Sequence, residues 1–194
     1  MSPTSELTPG ARPALGERVS SAILEAAAGA LVERGEQASM SDVAAAAGVA
    51  RATVYRYFPS REALLEALGR VALEEAGERL SAARLGEVPV QEGVARVVRA
   101  LVTVGDRFVV LARERARPDT DEFDARISTP LRELLARAQR HGEVRDDVPA
   151  EWLTESLFGL IVSVLDSGPA LGTDDTIAAI TGVFLDGARA QHSR

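Results

Sequence analysis

Apolar residues recur along most of the chain at every third or fourth position, which is the spacing of one face of an α-helix. The first such stretch covers residues 17–33, and the longest begins at Ser60 and runs to about Ala83. Later stretches cover 94–102, 108–112, 123–138, 150–165 and 173–191. The sequence shows no convincing strand alternation and no internal repeat. The pattern therefore predicts an all-α fold.

Two short helices are predicted between the first helix and the long one. Ser39 suits the cap of the first, and Asp42 lies three residues on, where an acid favours a helix N-terminus. Gly48 allows the tight turn that follows, because glycine adopts a positive φ without the steric strain that other residues incur. The second short helix covers Ala50–Phe58 and ends at Pro59. Two short helices joined by such a turn form a helix-turn-helix.

The second short helix has an outward face without a single acidic residue, while Val54 and Phe58 point inward. The outward residues are Arg51, Thr53, Tyr55, Arg56 and Tyr57. Arginine binds guanine edges through two hydrogen bonds, and threonine and tyrosine contact thymine methyls or phosphates. We predict that this helix lies in a DNA groove; the alternative is an ordinary solvated face. Arg61 opposes the dipole of the long helix, which favours a phosphate bound there as well.

The net charge of −7 by itself argues against binding to nucleic acid, but the distribution of the charges along the chain removes this objection. Residues 11–70 hold seven arginines and seven acids, residues 71–194 sum to −6, and Glu6 supplies the last negative charge. The range Ala50–Arg61 alone carries +3. Affinity for DNA depends on the charges at the phosphates and not on the total. A local basic face is therefore sufficient.

The composition excludes several other classes of protein. Cysteine is absent, so there is no disulfide framework and no thiolate metal site, and His141 and His192 lie far apart without a motif. No apolar run reaches the ~18–20 residues that span a bilayer, and the N-terminus lacks a signal-peptide pattern. The sequence has no nucleophile motif and no glycine-rich phosphate loop. We expect a cytoplasmic protein that is not an enzyme and takes no cofactor or metal.

Residues 1–16 hold three prolines and two glycines, which favours a disordered arm. Arg12 in this arm could contact DNA, although a solvated tail is the simpler interpretation. Residues 17–62 are predicted to form the helix-turn-helix domain. Residues 63–194 are predicted to form a helical domain for ligand binding and dimerisation, joined to the first by the long fourth helix.

Small residues mark one face of each of the last two helices. A glycine inside a helix lowers helix stability by ~1 kcal/mol relative to alanine. Glycines at these positions are therefore best explained by the close approach of another helix. Two such helices from each of two chains would form a four-helix bundle about a two-fold axis. The alternative is that they close the core of their own chain. The predicted dimer contacts are Ser156, Gly159, Leu160, Ser163, Ile180, Val183, Phe184 and Gly187.

A ligand pocket would lie between the helices of the C-terminal domain. Each of its candidate residues can also be explained as plain core. Arg113 and Arg115 could bind an anionic ligand, and a solvated face explains them equally well. The candidates are Leu101, Phe108, Leu111, Phe123, Ile127, Leu131, Trp152 and Phe158.

The stretch Ser39–Leu65, SMSDVAAAAGVARATVYRYFPSREALL, resembles the DNA-binding domain of the TetR family of bacterial repressors. The first helix fits as well, so the likeness covers about 50 residues, whereas the C-terminal part is similar only in plan. The matching positions are Ile23, Ala26, Ala27, Glu33–Gly35, Val54, Tyr55, Tyr57, Phe58, Ser60, Arg61, Glu62 and Leu65.

This resemblance implies a ligand-binding homodimer that represses transcription, with one recognition helix of each protomer in the major groove. By position, Tyr55, Tyr57 and Arg61 match the family's DNA contacts, mostly to phosphate. Ala50 departs from the family, because many members carry Ser or Thr there, and a cap and a contact are lost. The expected DNA-contacting residues are Ser41, Arg51, Thr53, Tyr55, Arg56, Tyr57 and Arg61.

The mechanism that follows is a ligand-released repressor of a palindromic operator. Without ligand, the dimer would hold its recognition helices about one DNA turn apart, roughly 34–36 Å. A small molecule in the helical bundle would shift the long helix and change this spacing. Two alternatives stay open at this point: a regulator controlled by a protein partner, and a helical ligand-binding or enzymatic protein with a vestigial helix-turn-helix.

Overall fold

A computed structural model describes residues 11–113, 120–168 and 171–190 of the chain. The chain divides into two compact units, Met1–Ala67 and Leu68–Arg194. The described residues form helices joined by turns, with one isolated β-bridge between Val144 and Arg189, so the all-α prediction is confirmed. The border between the units falls inside a continuous helix, about five residues after the expected border at residue 62.

The first unit contains helices α1 (Ala11–Arg34), α2 (Met40–Ala46) and α3 (Arg51–Tyr57), and the start of α4 (Arg61–Ala82). A 3-10 turn, Gly35–Gln37, separates α1 from α2. The core of this unit is formed by apolar side chains from all four helices. They are Ile23, Leu24, Ala27, Leu31, Val43, Ala44, Val54, Phe58 and Leu64.

The predicted start of α1 at Glu17 was wrong, since residues 11–16 are helical and do not belong to an unstructured arm. Pro13 was one of the prolines that favoured an unstructured arm, but its position in the first turn is compatible with the helix. The first backbone N–H groups of a helix have no intrahelical acceptor, so a proline in the first turn costs no hydrogen bond. The rest of the predicted arm, 1–10, lies outside the described residues.

The second unit contains the remainder of α4, then α5 (Val90–Arg113), α6 (Thr120–Phe123), α7 (Thr129–Arg140), α8 (Ala150–Asp166) and α9 (Thr173–Ala188). A π-helical segment over 124–128 joins α6 to α7 without a break. Two separate helices were predicted within α5, and its residues do form two helical stretches that meet at Gly105, whose φ of 3° and ψ of −83° are not helical. Glycine is one of the residues at which helices kink sharply.

The core of the second unit lies among α5, α7, α8 and α9, with Ala72, Leu73, Ala76 and Leu80 of α4 packed against it. Helix α5 lies close against α7 at Gly93. A Cβ atom built on Gly93 would lie 2.5 Å from Cδ2 of Leu134, and Leu134 itself is buried. The absence of a side chain at Gly93 therefore sets the distance between these helices.

Replacing Gly93 with valine is expected to destabilise the protein by about 1–3 kcal/mol, because the added carbons overlap a buried leucine. Urea denaturation followed by circular dichroism measures the change. Gly29→Val is the matched control, since a Cβ on Gly29, also inside a helix, meets nothing within 4 Å. Equal stability of the two variants would contradict the close packing of α5 on α7.

Candidate functional site

The start of α2 is fixed by a reciprocal pair of hydrogen bonds between Ser39 and Asp42. The Ser39 hydroxyl oxygen accepts from the Asp42 backbone N–H at 3.2 Å, and the Asp42 carboxylate accepts from the Ser39 backbone N–H at 2.8 Å. The hydrogen bonds from Ser39, with the Arg34 guanidinium adding a smaller effect, lower the pKa of the Asp42 carboxyl. Asp42 also forms an ion pair with Arg34, which ties α2 to the end of α1. The predicted Ser39 cap is confirmed, and Asp42 completes it as a capping box.

The turn from α2 to α3 depends on Gly48, whose φ of +65° is one that other residues adopt only with strain. The Val49 backbone N–H donates to the Ala44 carbonyl at 3.0 Å and closes the turn. Ala50 occupies the N-cap position of α3 and provides no side-chain hydrogen bond. The predicted helix-turn-helix is therefore present, with the missing cap at its recognition helix.

Helix α3 turns its apolar side inward and leaves its basic side accessible. Val54 is fully buried and Phe58 nearly so. Four predicted DNA contacts are exposed, namely Ser41 on α2 and Arg51, Tyr55 and Arg56 on α3, whereas Thr53 and Tyr57 are half-buried. The surface available for DNA is thus dominated by two arginines.

Each of these arginines contacts a tyrosine of the same helix, a relationship that the sequence interpretation missed. Arg51 Nη2 donates to the Tyr55 hydroxyl at 3.3 Å, and its Cζ lies 5.3 Å from the Tyr55 ring centre. Arg56 Cζ lies 5.1 Å from the centre of the Tyr57 ring. The spacing of Arg51 and Tyr55, four residues apart, is the signal that could have indicated the first pair.

Arg61, a predicted phosphate contact, is directed at the backbone of the same unit. Its guanidinium donates to the carbonyl of Ala38 and, at 3.5 Å, to that of Gly35. The neighbouring Ser60 caps α4, because its hydroxyl oxygen accepts from the Ala63 N–H at 3.1 Å. Arg61 thus holds the start of α4 against the turn between α1 and α2.

The predicted ligand-binding residues do not share one surface. Leu101, Ile127, Leu131 and Phe158 are buried in the core, and Phe123 packs edge-on against Phe158 with ring centres 5.7 Å apart. The side chains of Phe108, Leu111 and Arg113, and all of Arg115, lie outside the described part of the chain.

Trp152 is 66% exposed, so its assignment to an internal pocket was wrong. The inward stripe of α8 consists of Leu153, Leu157 and Ile161, and Trp152 lies one residue away from it. Trp152 instead shares the outer face of α8 with exposed residues four and seven positions on, Ser156 and Gly159.

A cavity of about 830 Å³ opens between the second half of α4, the turn after it, the π-helical segment before α7 and α7 itself. Leu80, Leu85 and Leu134 supply apolar walls. The charged lining residues are Glu78, Arg84, Arg126, Glu133 and Arg137. None of the predicted ligand-binding residues whose side chains the structure describes lines this cavity, so the predicted pocket stays a prediction.

The outer faces of α8 and α9 are rich in small residues. Ser156, Gly159, Ser163 and Gly187 are exposed, Leu160 is half-buried and Val183 is 64% exposed. A Cβ built on Gly159, Gly182 or Gly187 would meet nothing within 4 Å. These glycines therefore serve no close contact within the described part of the chain.

Two of the predicted dimer contacts were misplaced, because Ile180 and Phe184 are buried in the core of the second unit. A helix packed on its own chain must bury one stripe there, and these two residues belong to that stripe of α9. Only the opposite stripe of α9 remains accessible.

The fold and the polar face of α3 define the protein as a helix-turn-helix DNA-binding regulator of transcription. Residues 23–68 match the family described as bacterial regulatory proteins, tetR family. Among the described residues, no helix is long and apolar enough to cross a membrane, and no group of acids and histidines is placed to hold a metal ion.

Two relatives extend the likeness beyond the DNA-binding unit. The repressor LfrR of Mycolicibacterium smegmatis is 30% identical over 145 residues, which is 75% of this chain and 76% of LfrR. The repressor Rv1474c of Mycobacterium tuberculosis is 29% identical over 180 residues, which is 86% of this chain and 91% of that protein. The crystal structure of LfrR in complex with proflavine is 26% identical, matches with a TM-score of 0.70 and covers 90% of this chain and 99% of LfrR. The chain belongs to the TetR family.

Proposed function

We propose that this regulator is a homodimeric repressor that leaves a palindromic operator when a small molecule binds. The accessible basic face of α3 is the observation that carries the DNA-binding part. Arg51 and Arg56 are exposed there and, within the described residues, neither forms an ion pair with an acid. Two positive charges without acidic partners fit a polyanionic surface. Such a regulator acts on the chromosome, so it would work in the cytoplasm.

The dimer would form through the outer faces of α8 and α9. Gly159, Ser163 and Gly187 leave room for helices of a second chain, and Trp152 and Val183 add large apolar groups to these faces. Small residues flanked by exposed apolar ones favour close helix packing about a two-fold axis. Two recognition helices related by that axis would read two halves of a palindrome.

Effector binding would act through α4, the one helix with residues in both units. LfrR has been solved in complex with proflavine, so proflavine is the first effector to test on this protein. A ligand shifts the equilibrium only if it binds the released state more tightly than the DNA-bound state. Bound to its operator, the protein would block transcription from the adjacent promoter.

Selection of genomic fragments with the purified protein tests this function. We expect enrichment of a palindrome with half-sites roughly 34–36 Å apart, one DNA turn, and loss of the bound fragments when the effector is added. Recovery of fragments without a shared sequence would contradict the proposal, as would a site without two-fold symmetry.

A further inference from the structure

Two arginines of α3 are held by aromatic side chains before any DNA is present. Arg51 uses one N–H to bind the Tyr55 hydroxyl at 3.3 Å, with its guanidinium 5.3 Å from the ring centre. Arg56 is 5.1 Å from the Tyr57 ring centre. Contacts of a guanidinium with an aromatic face are favourable even at exposed sites.

The tyrosines are not simply free to bind phosphates. The Tyr55 hydroxyl already accepts a hydrogen bond from Arg51. The Tyr57 hydroxyl lies beside α1, because a Cβ on Gly16 would be 3.8 Å from it, and Tyr57 is half-buried. Both rings therefore have defined neighbours within the first unit.

This arrangement restrains the two arginines without consuming their hydrogen-bonding capacity. Arginine loses much side-chain freedom when it binds a base edge, and restraint before binding lowers that cost. A contact with a ring face occupies no N–H group, and Arg51 commits only one of its five donors. At least four N–H groups of each arginine remain, and a guanine edge needs two.

We infer that, given the DNA contacts proposed for α3, Tyr55 and Tyr57 are positioning residues that determine specificity by orienting Arg51 and Arg56. Tyr55 acts through both its hydroxyl and its ring, whereas Tyr57 acts through its ring alone. A phosphate anchor would act differently, because it strengthens binding to every DNA sequence equally.

The test compares affinity for the selected operator with affinity for a scrambled duplex of the same length and at the same salt. Tyr55→Phe removes the hydroxyl and keeps the ring. We expect it to lower the operator preference about two- to tenfold, the range for one lost hydrogen bond. Its affinity for the scrambled duplex should stay unchanged. A matched fall in both affinities would overturn the inference, as would no change in either.

A double-mutant cycle identifies the residue through which Tyr55 acts. In an Arg51→Ala background, Tyr55→Phe should have no further effect on operator preference, because the group that it orients is gone. The same fold-change in both backgrounds would show that Tyr55 contacts DNA independently and would overturn the inference.

Tyr57 is tested with two variants, and here removal of the hydroxyl is expected to have no effect, in contrast to Tyr55. Tyr57→Phe keeps the ring and should leave operator preference unchanged, whereas Tyr57→Leu should lower it, with thermal melting as the check on folding. An equal loss of affinity for both duplexes with Tyr57→Phe would indicate a phosphate contact, and a loss of operator preference would show that the hydroxyl is required; either result would overturn the assignment. If the wild-type protein itself prefers no operator, the proposed function fails and not merely the positioning role.

Discussion

Replacing Arg51 and Arg56 together with alanine is expected to weaken operator binding by about 30-fold to 10⁴-fold. Each bidentate contact of an arginine with a guanine contributes about 1–3 kcal/mol of discrimination, and a factor of ten corresponds to about 1.4 kcal/mol. Both side chains are exposed and unpaired with acids in the described structure, so folding should be unaffected. Fluorescence anisotropy with labelled operator, at one fixed salt concentration, measures the loss.

The control for this variant removes the same charge from the second unit. Arg84 and Arg140 are exposed, and Arg84 forms only a long 3.6 Å contact with Glu87. Arg84→Ala with Arg140→Ala should bind operator within a small factor of wild type. An equal loss in both double variants would mean that net charge and not the face of α3 governs binding.

Gly159→Leu is expected to convert the proposed homodimer to a monomer. A Cβ atom at this position would meet nothing within 4 Å in the described part of its own chain, so the folded protomer should accept the substitution. At a two-fold interface the added group appears twice, and overpacking of about 1–3 kcal/mol for each copy weakens association by about 2–6 kcal/mol. Sedimentation equilibrium measures this change directly.

Trp152 provides an independent measure of the same event, since it is the one tryptophan of the sequence and lies on the outer face of α8. Its emission should shift to the blue as wild-type protein associates and should stay red in Gly159→Leu at all concentrations. Gly29→Leu, the same change inside α1, is the matched control and should remain dimeric. A Gly159→Leu dimer of wild-type affinity would exclude this face as the interface.

The DNA-binding unit was largely predictable because its signals are local. Ser39 and Asp42 indicate a capping box within four residues, and Gly48 alone indicates a turn. Val54 and Phe58 follow from spacing alone. Such features depend on backbone geometry that a few neighbouring residues determine, so the rest of the chain is not needed to infer them.

The second unit was less predictable because periodicity reports burial only on average. Trp152 is apolar, yet it lies one position away from the inward stripe of α8 and is exposed. Ile180 and Phe184 are large apolar residues of the kind found at interfaces, but they are buried in the core of their own chain. The interruption of the apolar pattern within α5, by contrast, correctly predicted two helical stretches, which meet at the kink at Gly105.

Arg61 shows a further limit, since composition identifies a cation but not its partner. The carbonyls that it binds, those of Gly35 and Ala38, precede it by more than twenty residues. Only the packing of α4 against the turn after α1 brings them together. A long flexible side chain can reach either a backbone carbonyl or a phosphate, and its position in the sequence does not distinguish them.

The absence of a loop between Ala67 and Leu68 also constrains how this protein can change through recombination. A crossover that exchanges the operator-reading half for that of another regulator must join two helices in phase. The apolar positions before the junction, such as Leu64, and after it, such as Leu68, have to continue as one stripe. An insertion of a single residue would rotate that stripe by about 100°. Only exchanges that preserve the helical phase are therefore expected to give a folded protein.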